Sequence, residues 1–100
     1  MRQADVSLPV RVDVTTSSDV RYALQVAIDA EGTGDLVVDA SAVDMVDVAG
    51  LGVLVSAHRR AGQAGRRMIL CDAQPRIVRL FAVTRLHRVI HLDSSTSRSA

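Results

Sequence analysis

The sequence is poor in cysteine and aromatic residues and has no lysine: among 100 residues it has one cysteine, two aromatic side chains and twelve basic residues, all arginine. The lone Cys71 cannot form an internal disulfide, so nothing indicates a small secreted domain held by disulfides. No apolar run approaches the roughly 20 residues that cross a bilayer. No basic segment followed by an apolar run opens the chain, so no secretory signal is predicted. These absences predict a cytoplasmic protein without a membrane partner.

Aliphatic side chains must form the core, because Tyr22 and Phe81 are the only aromatic residues. With 48% hydrophobic residues, the chain has enough apolar material for one domain and is too short for two. We assign that domain to residues 1–93. Residues 94–100 are polar and have no apolar partner to bury, so they are predicted to form a disordered tail.

Charge is distributed unevenly along the chain. Residues 1–50 hold three arginines and nine acidic residues, whereas residues 51–100 hold nine arginines and two aspartates. Such asymmetry is found in nucleic-acid-binding proteins. Here the arginines are scattered over helices and loops with no aromatic side chains between them to stack on bases. We interpret them as solvated helix faces and expect no nucleic-acid partner.

Apolar periodicity alternates between strand and helix patterns. Alternation over Val10–Val14 and short apolar runs at Leu36–Val38, Met68–Cys71 and Val89–Leu92 predict strands. Helical spacing between them predicts three inward-facing stripes: Val20, Leu24, Ala27 and Ile28; Leu51, Leu54, Val55 and His58; Ile77, Leu80, Phe81 and Thr84. The order β-α-β-α-β-α-β predicts the α/β class, a small, mostly parallel sheet with helices packed on it.

The segment after the Leu36–Asp39 strand carries the most informative motif, and binding sites in such sheets form at the carboxyl ends of strands. Its matching residues are Asp39, Ser41, Val43, Val46, Asp47, Gly50, Leu51 and Gly52. In type and spacing they resemble the STAS domain, the fold of bacterial anti-sigma factor antagonists. The resemblance runs from about Asp35 to Leu92 without a gap, through the segments Gly65–Leu70, Gln74–Arg79 and Leu86–Val89.

The motif can also be interpreted from its residues alone. A helix N-terminus leaves N–H groups unpaired and carries partial positive charge, and Asp47 stands where a side chain can cap them. Gly50 and Gly52 have no side chain, so we expect a partner's backbone to approach the first turn closely. Such a helix end can also accept a phosphate group.

The resemblance implies a protein partner, a kinase-like anti-sigma factor, and no cofactor. In the family a serine follows the aspartate, and the partner phosphorylates it to abolish binding. Val48 occupies that position here and Ala49 follows, so the phosphorylation position is degenerate. We do not transfer the role to Ser41 or Ser56. The residues predicted to bind the partner are Asp13, Asp47, Val48, Ala49, Gly50, Leu51, Gly52 and Leu54.

The N-terminus departs from the family, which has two strands before its first helix. About a dozen residues precede Asp13, the acidic residue that matches the family's position before that helix. The first family strand is therefore expected to be missing or shortened, with Asp5–Leu8 as the real strand instead of Val10–Val14. An unpaired sheet edge would favour a homodimer.

Other chemistries find little support. Asp44 and Asp47 could form a carboxylate pair, but a loop aspartate and a helix cap explain them better. The three histidines lack zinc-ligand spacing, so no metal site is expected, and Cys71 fits an inert buried thiol. Because no nucleophile and base occur together, we expect no enzyme. The remaining alternative is a STAS-type accessory subunit of a lipid-transport ATPase.

Overall fold

Four short parallel strands form the main sheet of the computed structural model, which describes residues 3–30, 32 and 34–93. The elements in chain order are β1 (Val6–Ser7), β2 (Arg11–Val12), α1 (Ser17–Asp29), β3 (Leu36–Asp39), β4 (Met45–Val46), α2 (Val48–Gln63), β5 (Met68–Cys71), α3 (Pro75–Val83), a 3₁₀ turn (Leu86–Arg88) and β6 (His91–Asp93). The order β1-β3-β5-β6 confirms the α/β class with a parallel sheet. The predicted tail, residues 94–100, lies outside the described residues.

The two interior strands, β3 and β5, are covered on both faces. No residue of Leu36–Val38 or Met68–Leu70 is more than 5% exposed. Since successive side chains of a strand point to opposite faces, this burial requires packing on each side of the sheet. The prediction of strands from continuous apolar runs is confirmed here.

Both N-terminal segments contain a strand, so the strand predicted at Asp5–Leu8 is confirmed and only the exclusion of Val10–Val14 was wrong. In β1, Val6 lies opposite Val38 in the main sheet. In β2, Val12 lies opposite Val46 in a separate two-stranded parallel sheet with β4. Each strand is only two residues long. Among the described residues nothing pairs with the outer edge of β1, as expected if the family's first strand is missing or shortened.

The buried stripe of α2 differs from the predicted one. Its buried residues are Gly50, Val53, Leu54, Ala57 and Ala61, whereas three of the four predicted residues, Leu51, Val55 and His58, are only half-buried. Three of the five buried residues are glycine or alanine, which allow α2 to pack closely against its neighbours. Choosing large apolar side chains therefore did not identify the inward face of α2.

Two predictions after the middle of α3 differ from the structure: the inward position of Thr84 and the start of the last strand. Ile77 and Phe81 are buried in α3, but Thr84 is exposed and donates to the Leu80 carbonyl oxygen at 2.8 Å. The amides of Val89 and Ile90 both donate to the Leu86 carbonyl oxygen, at 2.9 and 2.8 Å. This closes a 3₁₀ turn, so β6 begins at His91 and the predicted strand Val89–Leu92 starts two residues too early.

Candidate functional site

Asp47 organises the N-terminus of α2 through both oxygens of its carboxylate. Oδ1 accepts a hydrogen bond from the Gly50 amide at 2.9 Å, so Asp47 is the N-cap of the helix. Oδ2 accepts a hydrogen bond from the Val14 amide at 3.1 Å. One carboxylate therefore caps α2 and also fastens the loop that precedes α1. The prediction that Asp47 caps the helix is confirmed.

Gly50 is required for contact within the chain. A Cβ atom at Gly50 would overlap the Val12 carbonyl oxygen and lie 2.7 Å from the carbonyl carbon. The same Val12 carbonyl accepts a hydrogen bond from the Asp47 amide at 3.3 Å. Gly50 is buried, so the explanation that it admits a partner's backbone was wrong. Gly52 differs: it is exposed, and a Cβ there would have no neighbour within 4 Å.

Asp13 is buried, with 2% of its surface exposed, and its carboxylate is bonded within the chain. Oδ1 accepts from the Thr15 hydroxyl at 2.6 Å and from the Thr15 amide at 2.9 Å, and Oδ2 pairs with the Arg11 guanidinium at 2.9 Å. The hydrogen bond from the Thr15 side chain, followed by that from Arg11, lowers the pKa of Asp13 to about 2 despite burial. The ionised carboxylate shapes the loop beside Asp47 and presents no free oxygen to a partner.

Two valines project from this junction. Val48, the first residue of α2, is 85% exposed, and Val14, whose amide bonds to Asp47, is 69% exposed. Val10 and Met45 are also exposed on the adjoining backbone, where the Met45 amide donates to the Val10 carbonyl oxygen at 3.3 Å. We call Val10, Val14, Met45 and Val48 the apolar patch. Exposed apolar residues on hydrogen-bonded neighbouring segments are candidates for a protein interaction site.

The predicted binding residues divide into three groups. Val48 and Gly52 are exposed, and Asp47, Ala49 and Leu51 are half-buried around the same turn. Asp13, Gly50 and Leu54 are buried, so they position this surface from beneath. Sequence reasoning missed Val14, whose only signal was an apolar residue directly after the acidic position.

The competing chemistries receive no further support. Asp44 forms an exposed ion pair with Arg76 at 3.1 Å, which accounts for its place in the loop. Within residues 3–30, 32 and 34–93, no three His, Cys, Asp or Glu side chains are grouped to hold a metal ion. Cys71 is half-buried at the end of β5, more exposed than predicted. None of the helices in the described part of the chain is long and apolar enough to span a membrane.

Comparison with known proteins decides the family. The STAS domain profile matches residues 5–99, and an anti-sigma-B factor antagonist of Listeria monocytogenes is 32% identical over 90 residues, which are 90% of this chain and 78% of the relative. The chain belongs to the STAS domain family. An anti-sigma-B factor antagonist of Staphylococcus epidermidis is 29% identical over 92 residues, covering 92% of this STAS chain and 84% of that relative.

Solved structures agree with the STAS fold. An anti-sigma-factor antagonist (STAS) domain protein of Planctomyces limnophilus matches with a TM-score of 0.76 at 20% identity, covering 89% of this chain and 80% of that one. At this level of identity the match shows the fold alone. The resemblance predicted from the Asp39–Gly52 motif is therefore confirmed for both family and fold.

Proposed function

We propose that this STAS domain acts as an anti-sigma factor antagonist, binding a kinase-like anti-sigma factor through the first turn of α2. The names of its relatives support the role. The observation that carries the proposal is Val48, which is 85% exposed on the first residue of a helix whose N-cap is fixed on both sides. A rigid turn with an exposed apolar side chain suits protein binding, because little conformational freedom is lost on association.

The apolar patch supplies binding free energy. Full burial of a valine side chain contributes roughly 1.5 kcal/mol or more from the area removed from water. The first turn also offers the partial positive charge of the helix N-terminus to an acidic group of the partner. Val48 follows Asp47 in the chain and the Val14 amide bonds to Asp47, so both valines lie beside this helix end. The surface therefore combines exposed valine side chains with the N-terminus of a helix.

The proposed regulation differs from the family's serine switch. Neither Val48 nor Ala49 has a hydroxyl group, so neither can accept phosphate from a kinase-like partner. Antagonism would then be constitutive or would respond to another signal. The alternative role, an accessory subunit of a lipid-transport ATPase, would use the same turn, but the relatives named above favour the antagonist.

The test uses the purified chain with the kinase-like anti-sigma factor of the same organism and ATP. We expect the wild type to bind this partner and to take up no phosphate on residues 46–56. Val48→Ser should create an acceptor at the helix N-terminus, and its phosphorylation should release the partner. Val14→Ser is the matched control, because Val14 is also an exposed valine beside Asp47 but precedes α1.

Mass spectrometry of the phosphorylated site and calorimetry of binding give the two readouts. Stoichiometric phosphate on wild-type Ser41 or Ser56 would show that the switch has moved to another hydroxyl. Failure of the wild type to bind the anti-sigma factor would contradict the antagonist role itself.

A further inference from the structure

A second surface, which shares no residue with the first turn of α2, concentrates arginine and exposed valine. It comprises the outward side of α3 and the 3₁₀ turn that follows. Its valines are 42%, 76% and 45% exposed, in chain order. We call this surface the basic face, and its residues are Arg76, Val78, Arg79, Val83, Arg85, Arg88 and Val89.

Backbone hydrogen bonds join the two parts of the basic face, α3 and the 3₁₀ turn, without a break. The Arg85 amide donates to the Ala82 carbonyl oxygen at 3.1 Å, and the Arg88 amide donates to the Arg85 carbonyl oxygen at 3.2 Å. Buried Ile77 and Phe81 fix the inner side of α3, and its residues on the basic face are all exposed. The face is thus held in place by the core and by unbroken turns.

The charge of the basic face is poorly balanced within the chain. Arg76 pairs with Asp44 at 3.1 Å, and both side chains of that pair are more than half exposed. Among the described residues, Arg79, Arg85 and Arg88 have no carboxylate within ion-pair distance. Three exposed guanidinium groups are therefore available to acceptors on another molecule.

Arg85 occupies a backbone conformation that favours glycine. Its φ is 63°, in the left-handed region, where it follows the C-cap of α3. Glycine is the usual residue at such a position because the Cβ of other residues is crowded there. Asp72, the other non-glycine residue described with positive φ, is of a type that tolerates this region better. An arginine in this place suggests that its side chain has a use that outweighs the local strain.

We propose that the basic face binds an acidic segment of a protein partner, one that combines carboxylates with aliphatic side chains. Guanidinium groups match carboxylates in bidentate hydrogen bonds, and arginine is favoured at protein interfaces. The valines between them provide apolar contact for aliphatic side chains. Nucleic acid fits less well, because Tyr22 lies on α1 and Phe81 is buried, so the face has no ring on which a base could stack.

Binding at the basic face is independent of the proposed role of the α2 turn, because no residue of the basic face belongs to that turn.

The probe for the basic face is a fluorescein-labelled peptide of glutamate with leucine at every third or fourth position. Binding is followed by anisotropy and mapped by amide chemical shifts. We expect binding that weakens with salt, with shifts concentrated between residues 75 and 90. A peptide with glutamine replacing glutamate should not bind.

The decisive comparison uses two double variants, each of which loses two arginine charges. One pair lies on the basic face and the other pair lies on α1 and α2. Arg79→Gln with Arg88→Gln should weaken binding at least about tenfold, whereas Arg21→Gln with Arg59→Gln should weaken it less than about threefold, because long-range charge is screened. Arg21 and Arg59 are exposed on α1 and α2, so net charge changes equally in the two variants. Equal losses in both variants, or no peptide binding, would overturn the proposal. Tighter binding to duplex DNA or to phosphatidylglycerol vesicles than to the peptide would also overturn it.

Arg85→Gly provides a separate test, because it should affect folding and binding in opposite directions. The glycine relieves the left-handed conformation, so the melting temperature should stay the same or rise. Peptide affinity should fall by at least about threefold from the loss of one charge-assisted contact. An unchanged affinity would remove Arg85 from the binding surface and contradict the use inferred for its side chain.

Discussion

Helices α2 and α3 start in different ways. The difference shows that specific hydrogen bonds position one helix of this domain, whereas apolar burial positions the other. Asp47 caps α2 with a hydrogen bond to Gly50 and a second bond to the neighbouring loop. At α3, Gln74 makes no side-chain cap bond and donates only an exposed hydrogen bond to the Ser41 carbonyl oxygen at 3.3 Å, and Pro75 opens the helix with no N–H to satisfy. The position of α2 depends on particular atoms, whereas that of α3 depends mainly on the burial of Ile77 and Phe81.

The largest expected effect comes from adding one carbon atom at the start of α2. Gly50→Ala places a Cβ against the Val12 carbonyl, so the backbone must shift, and we expect a loss of about 3 kcal/mol or more in the free energy of unfolding. Gly52→Ala is the matched control, because it adds the same atom in open space and should stabilise the helix by about 0.5–1 kcal/mol. Urea unfolding of both variants makes the comparison. Equal stabilities would show that the contact with Val12 relaxes easily.

A smaller effect is expected when the cap itself is removed. Asp47→Ala leaves the Gly50 and Val14 amides without their carboxylate partner, and should cost about 1–2 kcal/mol of unfolding free energy. Gln74→Ala, at the corresponding position of α3, loses no cap bond and only an exposed 3.3 Å hydrogen bond to the Ser41 carbonyl oxygen, so it should change stability by less than about 0.5 kcal/mol. Thermal unfolding of the two variants measures the difference. A loss at Gln74 as large as that at Asp47 would contradict the contrast between the helices.

The third effect is a loss of stability in acid, caused by protonation of Asp13 in the loop that bonds to Asp47. The fold lowers the pKa of Asp13 to about 2, chiefly through the Thr15 hydroxyl and then Arg11. A lowered pKa means that this stabilisation is fully present above the usual aspartate value of about 3.9 and is lost as pH falls through about 2. Asp13→Asn should therefore show a shallower loss of stability over that pH range than the wild type.

Thr15→Val checks the cause of the lowered pKa. The substitution removes the 2.6 Å hydrogen bond to Asp13 Oδ1, so the pKa of Asp13 should rise. An NMR titration of the Asp13 carboxyl carbon in both proteins measures it directly. An unchanged pKa would assign the effect to Arg11 and the loop amides.

The sequence was informative wherever a local pattern determines structure. Continuous apolar runs identified β3 and β5, and an aspartate three residues before a glycine identified the start of α2. These features depend on neighbours along the chain. The motif in register also identified the STAS family, which the comparisons confirm.

The sequence failed where contacts between distant segments decide the outcome. Gly50 was assigned to a partner because nothing local shows that Val12 approaches it. Leu54 was assigned to the binding surface although the helical periodicity also placed it in the inward stripe of α2, and it is part of the core. The strand β6 was placed too early because the 3₁₀ turn uses Val89 and Ile90, whose apolar side chains resemble a strand.

The most direct measurement compares Val48→Asp with the wild type for binding to the anti-sigma factor, with Val26→Asp as control. Val48 and Val26 are both exposed helical valines, but Val26 lies in the third turn of α1. The melting temperature of Val48→Asp should change little, since a carboxylate is favoured by about 0.3–1 kcal/mol at a helix N-terminus. Calorimetry should show affinity falling about a hundredfold or more for Val48→Asp, because an unpaired carboxylate would be buried in the interface. Val26→Asp should bind as the wild type does. Wild-type affinity in a folded Val48→Asp variant would place Val48 outside the interface and contradict the proposed binding surface.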